Sequence, residues 1–372
     1  MGKFYIALQS YSPNTAETNR YLGLLKTLSE SKIETEVVFF SSDNNNSVAL
    51  EMPHIHYHYL WKKFNPKNNR LKQLLSHFYF SRKFIAMLKE GDCVYLYGCN
   101  ELIPKLVNKK GIKVYQERTE HPFVSKMRFL NMEKYLYACT LLDGLFVITT
   151  ALKDYFISIG TPANKVHVIN MTVDPTRFDG LKKEKTERYI AYCGKATNNK
   201  DGVDQLIKAF ANTSKTHPDV KLYIIGTPPK RADQSGNLEL VERLGISDKV
   251  VFTGLIPSEQ IPQVLLNAEV LALARPDNMQ AKYGFPTKLG EYLLTGNPVA
   301  ITSVGDIPLF LKNGESALIS NPDSVDDFAL NLSWALDNPD NAKKIGETGK
   351  KIALANFIAE NEYNKLIKVI GL

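Results

Sequence analysis

Short runs of apolar, β-branched and aromatic residues alternate along this chain with longer stretches whose apolar positions recur every three or four residues. In the first half the runs are KFYIAL, EVVFF, CVYLY, IKVYQ, LFVIT and VHVI. In the second they are YIAYC, KLYII, KVVFT, VLALA and PVAIT. Each pair of runs is separated by a segment able to hold a helix, a pattern that predicts parallel α/β sheets. The alternation breaks at NMTVDPTRF (170–178), and a charged run, LKKEKTER, precedes the next strand. A boundary there divides the chain into two doubly wound domains, 1–172 and 173–355. A long helical pattern, roughly 341–370, closes the chain. Ligands of such sheets bind outside the carboxyl ends of the strands, so functional residues are expected in strand-to-helix loops, at a cleft between the domains.

The length of 372 residues suits two or three domains. No apolar run approaches the roughly 18 to 20 residues needed to cross a bilayer, and MGKFYIALQS lacks the succession of a signal peptide, so a cytoplasmic protein is expected. Cys93, Cys99, Cys139 and Cys193 show no C-x-x-C spacing and read as buried thiols, without a structural metal. Neither G-x-G-x-x-G nor G-x-x-x-x-G-K-[ST] occurs, which disfavours dinucleotide oxidoreductases and P-loop nucleotidases.

The net charge of +7 is carried by the first half, where residues 1–172 hold 22 Lys/Arg against 14 Asp/Glu. Between Trp61 and Glu90, eight cations face one acid, Glu90. Leu71, Leu74, Leu75, Phe78 and Phe84 recur there at near-helical spacing, predicting an amphipathic helix over about 68–89. This is a solvated surface helix or a face for anionic lipid, which would place the protein peripherally on the cytoplasmic face of the inner membrane. No nucleic-acid-binding motif accompanies it, so nucleic acid is not an expected partner. His54, His56 and His58 alternate along one face of a strand. A metal there would need carboxylate or thiol partners that the sequence does not place, so exposed strand histidines are expected.

The most informative stretch is ARPDNMQAKYGFPTKLGEYLLTGNPVAITSVGD (274–306), read as strand, loop and helix beginning near Thr287. A helix N-terminus offers N–H groups to an anion. Glu291, four residues after Thr287, can accept paired hydrogen bonds from a vicinal diol such as a ribose. Phosphate and ribose together describe a nucleotide.

GFPTKLGEYLLTGNPV resembles the donor-binding signature of glycosyltransferase family 4, retaining enzymes with the GT-B fold of two Rossmann-like domains facing across a cleft. AYCGKATNNKDGVDQLIKAFA, KLYIIGTPP, KVVFTGLIPSEQIPQVLLNAEVLALA and NMTVDPTRF extend the resemblance over most of 166–357. The first half is similar only in architecture and in the ERTEHP segment.

The resemblance implies roles for particular residues. Lys195 and Lys200 match a basic pair that holds the donor diphosphate, with lysine at 195 where arginine is common. Glu291 matches the ribose-binding glutamate, while Tyr283 stands where a second glutamate usually lies. Gly284, Phe285, Pro286, Thr287, Lys288 and Leu289 would line the sugar and phosphate, chiefly through backbone N–H groups of Phe285, Thr287 and their neighbours, with Lys288 adding charge and Arg275 nearby. Gly226, Gly254 and Ile256 would frame the base. On the first domain His121 resembles a histidine that contacts the donor sugar, and Glu117, Arg118 and Glu120 fall on the acceptor side. Asn14 and Thr15 resemble an acceptor-side loop or simply cap a helix.

The implied activity is a retaining, metal-independent transfer of a hexose from a UDP- or GDP-sugar to a saccharide or lipid-linked saccharide, in surface polysaccharide assembly. A C-terminal helix, 356–372, would cross back to the first domain. The alternatives are a sugar-nucleotide epimerase or hydrolase on the same fold, and a non-catalytic sugar-nucleotide-binding partner of another transferase.

Overall fold

The computed structural model describes residues 2–9, 15–40, 51–60, 70–124, 132–184, 187–226 and 232–372. The chain divides into two units, Met1–Asn170 together with Ala359–Leu372, and Met171–Ile358.

The first unit is built on seven parallel strands: β1 (Phe4–Leu8), β2 (Thr35–Phe39), β3 (Ile55–Tyr59), β4 (Cys93–Tyr97), β5 (Lys113–Arg118), β6 (Gly144–Val147) and β7 (Val166–Val168). Their order is β3-β2-β1-β4-β5-β6-β7, so the winding reverses between β1 and β4. Phe4, Ile6 and Leu8 turn one face of the sheet toward Tyr21, Leu24 and Leu25 of helix Ala16–Glu30 and toward Leu366 and Ile370 of helix Ala359–Ile370. On the other face the Tyr5 ring meets Phe84 of helix Arg70–Met87 edge-on, centroids 6.1 Å apart. That helix carries the basic pattern read from the sequence. Phe84 is buried in it, but Phe78 is 62% exposed and does not belong to the apolar face. The Leu71, Leu74 and Leu75 side chains lie outside the described residues.

The second unit has six parallel strands, β8 (Tyr189–Gly194), β9 (Lys221–Gly226), β10 (Val250–Gly254), β11 (Val270–Leu273), β12 (Val299–Thr302) and β13 (Leu318–Ser320). The order is β10-β9-β8-β11-β12-β13, with the reversal between β8 and β11. β13 has three residues and was not among the strands expected from the pattern.

The closing helical pattern is two helices, Pro339–Asn356 and Ala359–Ile370. Phe357 interrupts it: the ring is fully buried against Phe310 and Phe285, its carbonyl accepts from Val173 N at 2.8 Å, and Ile358 bridges to Val173. Helix Ala359–Ile370 belongs to the first unit, where Tyr363 donates to the Arg20 carbonyl at 2.8 Å and Glu362 accepts from Asn170 N at 2.8 Å. No helix among the described residues is long and apolar enough to cross a membrane.

Candidate functional site

In the second unit the residues singled out by the sequence gather at the carboxyl ends of β8, β9 and β11. β8 ends at Gly194 and β9 at Gly226, which are paired in register. Gly226 has φ +135°, and a Cβ on it would collide with the Gly194 carbonyl oxygen, so only glycine allows the two strand ends to lie so close. The next segment carries helix Asn198–Asp201, which stops at Gly202 in a left-handed conformation (φ +64°). A Cβ there would run into the Ala274 carbonyl, so Gly202 lets Asp201 tuck under the end of β11.

Lys195 and Lys200 are both exposed on this segment. Arg275, expected among the donor-binding residues, is instead 2% exposed and donates from Nε to the Lys200 carbonyl at 3.3 Å. Its own carbonyl accepts from Thr302 Oγ1 at 2.7 Å. It follows β11 in mid-sheet, where a long side chain has only the interior to enter, and there it supports the Lys200 backbone.

The TKLGEYLL segment forms helix Lys288–Leu294, flanked by Thr287 and spanning 7 residues. Phe285 packs between Phe310 and Phe357, and Pro286 and Leu289 are buried, with Leu289 N donating to the Pro286 carbonyl at 3.0 Å, so none of the three offers its side chain to the surface. Gly284 is extended after the short helix Met279–Tyr283, whose final residue is Tyr283 with Lys282 Nζ 5.4 Å over its ring. Lys288 is not a surface lysine. Its Nζ lies 2.6 Å from Asp201 Oδ2, 3.1 Å from Tyr192 Oη and 4.6 Å over the Tyr192 ring. Burial lowers the pKa of Lys288, opposed by the Asp201 charge. The Asp201 carboxyl is pulled below its usual range by Lys288 and by the Tyr192 hydroxyl, against burial.

Glu291 is half-buried, and Arg177 Nη1 donates to its Oε1. Arg177 stands on the one-turn segment Pro175–Phe178 and also donates to the Ser258 carbonyl at 3.0 Å. Gly254 (φ +69°) ends β10 and Ile256 is half-buried beyond it. Sequence reasoning missed Arg177, Asp201 and Tyr192. The first lies inside the quoted NMTVDPTRF segment and the second beside Lys200, but neither spacing reveals the partner it meets across the fold.

In the first unit, Glu117 is not available to an acceptor: it is 4% exposed, paired with Arg20, and accepts from the Tyr95 hydroxyl. As an inward residue of β5 it faces the sheet's helical layer. Arg118 is also buried and donates to the Glu120 carbonyl at 3.2 Å, with Glu120 half-buried. His121 is 4% exposed, its ring 4.1 Å from that of Tyr155. Burial and Arg118 lower its pKa, and Nδ1 accepts from Phe123 N at 3.3 Å, which leaves the neutral ring with its proton on Nε2. Thr15 caps helix Ala16–Glu30 by accepting from Thr18 N at 3.1 Å, and Asn14 lies outside the described residues.

The three histidines do have carboxylate neighbours. His54 Nδ1 and His56 Nε2 lie 2.7 and 2.8 Å from the two oxygens of Glu34, and His58 Nε2 lies 2.5 Å from Glu36. His54 precedes β3 with φ +65°, so only His56 and His58 share a strand face. Among the described residues no group of His, Cys, Asp or Glu side chains is arranged to hold a metal ion. No disulfide joins the four cysteines; Cys99 and Cys139 are buried, Cys93 and Cys193 partly so.

Residues 174–352 match the family described as Glycosyl transferases group 1. A 2-deoxystreptamine glucosyltransferase of Streptomyces kanamyceticus is 25% identical over 61% of this chain and 59% of its own length. The MMP alpha-(1->4)-mannosyltransferase of Mycolicibacterium hassiacum is 26% identical over 62% of this chain and 53% of its own length. The chain thus spans a little over half the length of these relatives. Anabaena HepE in complex with UDP superposes with a TM-score of 0.76 at 15% identity, covering 100% of both chains. The sucrose-phosphate synthase of Thermosynechococcus elongatus gives 0.77 at 16%, covering 99% of this chain and 98% of its own. The fold is GT-B.

Proposed function

We propose that this chain is a retaining glycosyltransferase of family 4 that transfers a hexose from a UDP- or GDP-sugar to a saccharide, free or lipid-linked, in surface polysaccharide assembly. The observation that carries the reading is the placement of Lys288, Asp201, Arg177 and Glu291 within the segment matching Glycosyl transferases group 1, all at one end of one parallel sheet. Glu291 would take the ribose hydroxyls, and Lys195, Lys200 and Lys288 the diphosphate. Backbone N–H groups of Phe285, Thr287 and Lys288 would meet the sugar and its phosphate; those of Gly284 and Leu289 already donate to the Gln280 and Pro286 carbonyls. Charge growing on the departing diphosphate is what these cations would stabilise. His121, neutral and with a proton on Nε2, would donate a hydrogen bond to a sugar hydroxyl. The acceptor hydroxyl would enter on the face the diphosphate leaves, without a protein nucleophile and without a metal ion. A Mycolicibacterium smegmatis relative, 25% identical over 58% of this chain, is named a GDP-mannose-dependent mannosyltransferase and the Anabaena neighbour holds UDP, so both bases stay in the proposal.

The test is a thermal-shift screen against UDP, GDP, ADP and CMP, each at millimolar concentration with EDTA present. A ligand at about 100 times its Kd adds about 2.7 kcal/mol and raises the unfolding midpoint by a few degrees. A selective shift by UDP or GDP, followed by nucleotide release that depends on a saccharide acceptor, supports the reading. No shift with any nucleotide overturns it, and a shift without turnover favours the non-catalytic partner.

A further inference from the structure

Lys288 departs from an ordinary structural ion pair in where it sits. Its side chain is 18% exposed and that of Asp201 4%, so both charges are largely withdrawn from water. A buried pair of this kind contributes little net stability compared with apolar residues of the same volume. Tyr192 supplies the remaining contacts: its hydroxyl donates to Asp201 Oδ2 at 2.7 Å and accepts from Lys288 Nζ, while its ring lies under the ammonium. Asp201 and Tyr192 Oη use two of the three N–H groups of Lys288. The ammonium also abuts Gly194, where a Cβ would stand 2.5 Å from Nζ, so the absence of a side chain at the end of β8 is what admits the charge there.

We propose that Lys288 is the cation that meets the donor diphosphate at the end of β8, and that Asp201 is the residue that positions it and keeps it charged. This rests on the nucleotide-sugar reading given above. An ammonium fixed in a partly desolvated place attracts an anion more strongly than one moving in water, and needs no reorganisation when the anion arrives. Lys195 and Lys200 are exposed, so water screens the charge of each more strongly. The groups facing Lys288 are Asp201 from helix Asn198–Asp201, Tyr192 and Cys193 from β8, and Arg275 after β11. Of these, Asp201 is the only carboxylate, and it opposes both burial and Arg275, which favour loss of the proton from Lys288.

The experiment is calorimetric titration of UDP and GDP into the full chain and into Lys288→Met, Asp201→Asn and Lys195→Met, at pH 7.0, 8.0 and 9.0. Each variant is compared with the wild-type chain at the same pH, so that the last ionisation of the diphosphate, with a pKa of about 6, cancels from the comparison. Lys288→Met should weaken binding about tenfold or more at every pH, and Lys195→Met by less. Asp201→Asn should bind within about threefold of wild type at pH 7.0 and fall further behind wild type as the pH rises to 9.0, because the carboxylate that opposes burial of the ammonium is gone. A purely structural Asp201 would give the same deficit at each pH. Tyr192→Phe, which keeps the ring, provides a second variant where Asp201→Asn melts without cooperativity, and it should show a weaker version of the same pH dependence. Tight nucleotide binding by Lys288→Met, or a pH-independent deficit in Asp201→Asn, overturns the inference while leaving the nucleotide-sugar reading intact. Absence of binding by the wild-type chain overturns that reading itself.

Discussion

The guanidinium of Arg177 donates to one carboxylate oxygen of Glu291, so the acid matched to ribose binding already carries a cation from the one-turn segment Pro175–Phe178. Both side chains are about one-quarter exposed. The pair orients the carboxylate before any ligand arrives, and the second oxygen can accept from a diol. Glu291→Ala is expected to weaken nucleotide binding by about 1 to 3 kcal/mol through loss of charge-assisted hydrogen bonds. Arg177→Ala should cost less, since it disturbs orientation rather than removing the acceptor. Calorimetry with the nucleotide found in the screen measures both, and an unchanged affinity for Glu291→Ala removes the acid from the site.

Glu117 pairs with Arg20 inside the first unit, both under 5% exposed. Arg20 further donates to the carbonyls of Ile169 and Asn170, at 3.0 and 2.7 Å, so the pair ties helix Ala16–Glu30, β5 and the end of the unit together. Removing one partner strands a buried charge, and Glu117→Ala or Arg20→Ala should destabilise the fold by about 3 to 5 kcal/mol. Replacing both by leucine should cost less than either single change. Urea unfolding of the four proteins decides it; a Glu117→Ala variant of normal stability but impaired acceptor kinetics would return Glu117 to the acceptor side.

These two pairs also mark what was legible in the sequence. The parallel α/β architecture was readable because each strand is an apolar run bounded by a turn, and the position of helix Lys288–Leu294 because Thr287 and the Gly284–Pro286 loop announce it. What could not be read were side-chain partners far apart in the chain. Arg177 and Glu291 are separated by 114 positions, Lys288 and Asp201 by 87, and Arg20 and Glu117 by 97. The inward pointing of Glu117 escaped for a further reason: a strand ending in QER looks polar and exposed unless the buried arginine opposite is known. The division of the closing helix escaped because Phe357 keeps helical spacing in sequence while its backbone pairs with Val173.

His121 should make stability depend on pH below neutrality. Burial and Arg118 hold its folded-state pKa below the ordinary value of 6.5. Between that lowered value and 6.5 the unfolded chain binds more protons than the folded one, so stability rises with pH across this window and is level, as far as His121 is concerned, above it. His167, likewise lowered by burial, acts in the same direction. His121→Gln should therefore flatten the dependence of the unfolding midpoint on pH below 6.5, and leave the slope from 7 to 8 unchanged. An equally steep acid limb in the variant would show that His121 titrates as it does in the unfolded chain.

The basic helix Arg70–Met87 carries aromatic side chains facing water at its middle. Phe78 and Tyr79 are 62% and 42% exposed, with Lys105 Nζ 5.7 Å over the first ring and Lys83 Nζ 4.8 Å over the second. Arg82 is exposed on the same helix. Aromatic rings beside cations suit the interfacial zone of a bilayer, where the rings enter the headgroup layer and the cations meet lipid phosphates. Vesicles containing anionic lipid should bind the protein at low salt, and neutral vesicles should not. Each of Arg82→Glu, Lys83→Glu and Lys105→Glu should lower affinity about fivefold or more, from about 1 kcal/mol per basic residue near the surface. Phe78→Ala should weaken binding in a way that added salt does not reproduce, because it removes apolar insertion rather than charge. Cosedimentation with vesicles across a salt series reads both terms, and binding that survives all three charge reversals would place any membrane contact elsewhere on the chain.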